Sequence, residues 1–284
     1  MTERLRPLWD FADLDASEQR FRAQLSRETT DEGRAEVLTQ LARIEGLRGE
    51  FDQGEALIEE AEALAGDDLV ARTSIDLERG RLRRSSGDVE AALAYFESAY
   101  ATALEARGYF IAADAAHMAA LATSGHDGFV TWTRRGIELA EEHESAGYWL
   151  GPLLNNLGWE CYEAGELEPA LDAFERALHA REQDPSKPEP IALARYAAGK
   201  ALRGLGRSDE AIPLLEQAVA WAEGEGVPDG WYHEELAEEY AAVGREDDAR
   251  EQARLAIPLL LEADPGFEAD KDRAGRLRAL ASST

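Results

Sequence analysis

A single cysteine, Cys161, stands in 284 residues, so no disulfide can close within the chain and no pair of thiols has the spacing of a zinc site. Lysine is almost missing as well: Lys187, Lys200 and Lys271 are the only three, and the other 27 of the 30 basic residues are arginine. No apolar run approaches the roughly 18 residues of a membrane span. The opening MTERLRPLWDF is too charged for a signal peptide. The G-x-x-x-x-G-K-[ST] phosphate loop, the H-E-x-x-H zinc motif and the G-x-S-x-G nucleophile elbow are all missing. The five histidines, at 117, 126, 143, 179 and 233, show no ligand spacing. These absences lead us to expect no metal, no cofactor and no catalytic centre.

Positive charge is scarce in the same way. With 58 acidic residues against 30 basic ones, the formal charge is −28. Such a surface repels phosphate backbones and anionic headgroups, which argues against nucleic acid and membrane as partners. A cytoplasmic protein is the expectation. An acidic, lysine-poor surface fits adaptation to high salt and a GC-rich genome alike.

What the chain does have is an internal repeat, carried by enough apolar residues (44%) to build a substantial core. Aligned on a small residue, a glycine seven later and an alanine five after that, GRLRRSSGDVEAALAYFESA (80–99) matches GWECYEAGELEPALDAFERA (158–177). GKALRGLGRSDEAIPLLEQA (199–218) and AEEYAAVGREDDAREQARLA (237–256) fit the same frame. The pattern predicts helix, tight turn, helix. Gly87, Gly165, Gly206 and Gly244 fall at the turns, where a left-handed residue ends a helix. Asp88 and Asp209 then sit at the start of the next helix, where its dipole favours negative charge, and Pro169 suits a first turn. Small residues such as Gly80, Gly158 and Gly199 are expected to let two helices approach, with Phe96, Phe174 and Leu215 filling the space between. One hairpin alone leaves an apolar face open, so neighbours must stack.

This pattern resembles the tetratricopeptide repeat, a helical hairpin of 34 residues. The segment from Leu154 to Ala177 fits best, through Leu154, Leu157, Gly158, Gly165, Ala170, Phe174 and Ala177. A first repeat fits more loosely through Ala42, Gly49, Gly54, Ile58 and Ala61. The third is degenerate, with Ala116, Gly128 and Trp132 in place but Arg135 where alanine is expected. The resemblance implies an all-α fold, a right-handed superhelical array (α-α solenoid) of about six hairpins with capping helices at both ends. Residues 1–30 are read as a leading helix, capped by Asp15 with Glu18 three residues on. Residues 31–263 are the repeats, and 264–284 a capping helix and tail with an apolar stripe of Phe267, Leu277 and Leu280. The turns at 49, 87, about 123, 165, 206 and 244 lie 36 to 42 residues apart, so helices or loops exceed the family standard. The stretch DPSKPEP (184–190) reads as a rigid loop.

The resemblance also implies where binding occurs: on the inner surface made by the first helix of each hairpin. In frame, that surface carries Arg43, Arg81, His117, Trp159, Lys200 and Glu238, with Arg84, Tyr162 and Arg203 one turn on and Asn155, Tyr196 and Glu234 one turn back. Five of these twelve are basic in a chain with about twice as many acids as bases, which suits an anionic ligand such as a carboxylate. The competing reading pairs each base with a neighbouring acid, such as Glu78 beside Arg81. Asn155 and Asn156 resemble the asparagines with which some bacterial family members grip a peptide backbone, since one amide both donates and accepts. Asp114 and His117 lie three apart on one helical face.

The leading expectation is a non-enzymatic module that binds a protein or peptide segment, extended and acidic or carboxylate-bearing. The alternative is a sensor of a small molecule or signalling peptide, with a pocket in DAAHMAALATSGHDG (114–128) near Trp159. Self-association is left open.

Overall fold

A computed structural model describes residues 3–282. Fourteen α-helices and two short 3-10 helices make up the described residues, with no strand among them. The chain divides into two compact units at Leu153/Leu154.

In the first unit a 3-10 helix at Glu3–Leu8 precedes α1 (Leu14–Leu25). Three hairpins follow: α2 (Asp31–Arg48) with α3 (Phe51–Ala65), α4 (Leu69–Ser85) with α5 (Val89–Glu105), and α6 (Tyr109–Ala122) with α7 (His126–Glu142). A second 3-10 helix, Glu144–Trp149, runs into α8 (Leu150–Glu163), whose first residues still belong to this unit. In the second unit α8 pairs with α9 (Leu167–Glu182), α10 (Pro188–Gly204) with α11 (Ser208–Gly224), and α12 (Gly230–Ala242) with α13 (Glu246–Ala263). The last helix, α14 (Lys271–Ser282), packs on α13 and α12.

Six hairpins therefore occur where the repeat frame sets them. Gly49, Gly87, Gly165, Gly206 and Gly244 all take positive φ, between 71° and 96°. At Gly87 the turn closes with Asp88 N–H donating to the Arg83 carbonyl at 2.8 Å and Gly87 N–H to that of Arg84 at 3.1 Å, the pairing that satisfies the last carbonyls of a helix. The bonds recur at Gly165, where Glu166 N–H reaches Cys161 O and Gly165 N–H reaches Tyr162 O. Asp88 caps α5 by accepting from Ala91 N–H at 3.2 Å. The third turn differs: Thr123 is extended, and Gly125 (φ 86°) bears the left-handed conformation two residues later.

Within hairpins the small residues do what their spacing predicts. A methyl carbon built on Gly80 would meet the Phe96 ring at 2.5 Å, and one on Gly199 would meet Leu215 at 2.7 Å; both partners are fully buried. The wide repeat spacing comes mainly from long helices, 17 residues in α4, α5, α10 and α11 and 18 in α2 and α13. The inserted 3-10 helix at Glu144–Trp149 widens the gap before the fourth hairpin further.

Three local expectations are corrected. Asp13, not Asp15, caps α1: its φ of −134° and ψ of 89° lie outside the helix, and its carboxylate accepts from Ala16 N–H at 2.9 Å. Asp15 and Glu18 instead both bind Arg48 at the end of α2. Helix α10 begins at Pro188, so the second half of DPSKPEP is its first turn, because proline's fixed φ and missing N–H suit the opening position. Phe267 is buried but precedes α14, whose own buried positions are Ala274 and Leu277.

Candidate functional site

The first helices of the hairpins bring the expected site residues into two groups, one in each unit. In the first unit α2, α4 and α6 contribute Arg43, Arg81, Arg84, Asp114 and His117. Arg81 bridges helices: it donates to Glu78 Oε1 at 2.6 Å on its own helix and to Asp114 Oδ1 at 2.5 Å on α6. Glu78 and Asp114 are almost fully buried, and Arg43 approaches Glu78 at 3.8 Å. Burial would push Asp114 up, yet Arg81 and Arg43 hold its carboxyl far below the usual carboxylate range. Arg84 is exposed and donates to the Leu121 carbonyl at 3.3 Å. His117 lies against Trp149, ring centroids 5.5 Å apart. These charges form an enclosed ladder rather than an open row of bases.

His117 sets a pH dependence. Burial lowers its pKa, Asp114 opposes that, and Arg81, Arg84 and Arg43 add to it. The unfolded chain then binds a proton near pH 6.5 that the folded chain refuses. The associated stability is present above the unfolded value and lost as pH falls below it. Urea midpoints should drop between pH 7.5 and 5.5, and His117→Gln should flatten that slope; an unchanged slope would remove His117 from the account.

In the second unit α8, α10 and α12 carry the other group. Trp159 sits at the centre of an aromatic run: edge-on to Tyr162 (5.8 Å) and to the buried Phe174 (5.1 Å), and 6.3 Å from Tyr196, which lies 4.9 Å from Tyr232. Burial and then Glu235 push the Tyr196 hydroxyl up; burial and Asp229 push Tyr232 up to about 12, so both stay neutral donors at ordinary pH. Asn155 Oδ1 is enclosed and has no hydrogen-bond partner among the described residues. Asn156 adjoins it and is likewise half-buried.

Next to this run lies a cleft of about 320 Å³ lined by Lys200, Arg203, Trp231, Glu234, Glu235, Glu238, Arg273 and Arg276. Glu235 takes both Lys200 and Arg203 Nε (2.6 Å), and Glu238 takes Arg203 Nη1 at 2.7 Å. Burial opposes the charge on Arg203, and the two glutamates more than offset it. Arg273 pairs with Glu234 at 2.5 Å and Asp264 at 2.6 Å. With Asp264 counted, four bases thus face four carboxylates, and Arg276 is the least engaged of the bases, 3.5 Å from Glu238.

Reading the repeats in sequence missed Trp231, Arg273 and Arg276. Trp231 holds the second position of the sixth repeat, one of the family's inner positions, and could have been found there. The two arginines come from α14, outside the six-repeat frame; only their i, i+3 spacing marked them as sharing a face. Cys161 is buried in α8. Among the described residues no cluster of His, Cys, Asp and Glu is placed to hold a metal ion, and no helix is long and apolar enough to cross a membrane.

Helical hairpins that follow one another along the chain, three in each unit, define an α-helical repeat fold. Residues 192–224 match the family model for the tetratricopeptide repeat, and the chain carries that repeat. The match opens at Ala192, the residue that the Gly206 turn makes the first of its repeat. Among solved structures, the apo form of RapI superposes with a TM-score of 0.70 at 13% identity, covering 98% of this chain and 80% of that one. BtubC from P. vanneervenii gives 0.63 at 18% identity, over 80% of this chain and 93% of that one. A signal transduction ATPase with numerous domains and a tetratricopeptide repeat sensor, from Pyrococcus horikoshii, gives 0.71 at 12% identity, over 88% of this chain but 40% of that one. At these identities the likeness is one of fold. No protein of curated function matches the sequence.

Proposed function

We propose that the chain is a non-enzymatic module that binds an extended protein or peptide segment along α8, α10 and α12 of the second unit. The observation that carries this reading is Asn155. An enclosed amide oxygen without a donor costs about 1–3 kcal/mol; a turn of the half-buried Asn155 side chain that brings the oxygen outward would let a backbone N–H of a bound segment remove that cost. Trp159 and Tyr162 are half-buried beside it and offer flat apolar surface to the segment's side chains. Farther along, the exposed Arg276, 3.5 Å from Glu238, is the cleft's least engaged cation and would meet an acidic group of the segment.

Display selection of random peptides on the purified protein tests this. The selected peptides should bind wild type and lose about tenfold in affinity, about 1.4 kcal/mol, with Asn155→Ala or Trp159→Ala at unchanged helical content. Peptides that bind both variants as tightly as wild type would overturn the assignment.

A further inference from the structure

The opening residues of the chain lie on the same kind of surface in the first unit. Residues 4–11, RLRPLWDF, cross α2 with side chains that seat one after another. Arg4 bonds Glu28 at 2.7 Å and Glu36 at 3.0 Å. Leu5 enters the apolar cluster of Phe21, Val37 and Leu38. The guanidinium of Arg6 lies 3.8 Å above the Tyr148 ring, and Trp9 Nε1–H donates to Gln40 Oε1 at 3.1 Å. Phe11 stacks on Trp9 at 4.7 Å, and Arg43 lies 5.3 Å from both rings.

Glu36, Gln40 and Arg43 occupy one stripe of α2, at spacings of four and three, and in the repeat frame this is the inner stripe. The segment thus covers the positions from which a repeat of this kind would meet a partner. Its hold is mostly by side chains. Its described backbone bonds are local, Trp9 N–H to Arg6 O and Asp10 N–H to Ser17 Oγ. Arg4, Pro7, Asp10 and Phe11 remain exposed, Phe11 by 57%. Pro7, inside the six-residue 3-10 helix, has no backbone N–H to donate.

We propose that residues 4–11 are a ligand held in cis, and that the face formed by Glu28, α2 and Tyr148 is a docking surface for a cationic-aromatic segment of the same chemistry: an arginine for Glu28 and Glu36, a leucine, an arginine for Tyr148, and a tryptophan for Gln40 and Arg43. The tethered segment blocks that surface until a partner of this kind displaces it. A net charge of −28 favours the approach of such a cationic partner.

The test uses the full chain and a fluorescein-labelled peptide of residues 3–13. In wild type the tether supplies an effective concentration near the millimolar range, so the peptide should bind at least tenfold more weakly than to the loosened variant Leu5→Ser/Trp9→Ser. Adding Gln40→Ala and Tyr148→Ala to that variant should abolish binding. In wild type, the Trp9 and Asp10 amides should exchange with solvent at least a hundredfold faster than those of α2. Equal binding to wild type and the loosened variant, or no binding to the latter, would overturn the proposal. So would a loosened variant that dimerises without taking up peptide, since the surface would then serve a second copy. If the loosened variant fails to fold, the wild-type amides decide: exchange in step with α2 makes the segment part of the core and overturns it.

Discussion

Asp114→Ala is expected to destabilise the first unit by about 3–5 kcal/mol, the cost of leaving a buried charge without its partner. In the native chain Arg43 and Arg81 face Glu78 and Asp114, two charges of each sign, with Asp114 2% exposed. Removing Asp114 leaves Glu78 alone between two guanidinium groups. Glu78 cannot serve both well: it lies 2.6 Å from Arg81 but 3.8 Å from Arg43. Asp114→Asn keeps the volume and one acceptor oxygen but removes the charge, so it should recover part of the loss. Asp114→Leu with Arg81→Met should recover more than either change alone predicts, because replacing a buried pair by apolar groups is often neutral. Urea midpoints measured on wild type, on these three variants and on the single changes Asp114→Leu and Arg81→Met check this. If the Leu/Met double variant were as unstable as the sum of its single changes, the ladder would not act as one coupled unit. The acid limb follows with its sign. Asp114 is depressed in the folded state, so its contribution is present above an unfolded value of about 4, falls away below it and is fully lost once pH has passed through the lower folded value.

That ladder marks where the sequence was legible and where it was not. The turn glycines could be read because positive φ leaves few alternatives, and Gly80 and Gly199 because a close helix approach demands a missing side chain. The bases at the inner positions were legible as residues, but their partners were not. Arg81 pairs with Asp114, 33 residues on, and Lys200 with Glu235, 35 residues on. Such separations are set by the register of one hairpin against the next, which local spacing does not carry. With 58 carboxylates in the chain, composition could not choose among them either. Asp13 and Asp15 pose the same difficulty at short range: both suit a cap, and the backbone angles decided between them. The segment 4–11 escaped for another reason. It shows no helical period, and its meaning lies in the side chains of α2, Glu36 and Gln40 above all.

The second large effect is expected at Gly158, where the inner helix of the fourth hairpin meets its partner. A methyl carbon on this residue would overlap the ring of Phe174, which is fully buried. Gly158→Val should therefore cost about 3 kcal/mol or more, the upper part of the range for overfilled cores, despite valine's better helix propensity than glycine's. Neither side can yield cheaply. The ring is boxed in, with Trp159 edge-on at 5.1 Å, and the backbone of α8 is fixed at its end by the Gly165 turn. Phe174→Leu alone should cost about 1–2 kcal/mol by leaving a small cavity. Combined with Gly158→Val, it makes room for the added carbons, so the double variant should be more stable than Gly158→Val itself, with a coupling of about 1–3 kcal/mol. Hydrogen exchange resolved by helix should place the loss in α8 and α9 first, since repeat arrays are held together by nearest neighbours. An additive double variant would mean that the clash is relieved by a shift of the whole helix. Trp159 and Asn155 ride on that helix, so the same shift would move the proposed binding residues, and Gly158→Val would then weaken the selected peptides as well as the fold.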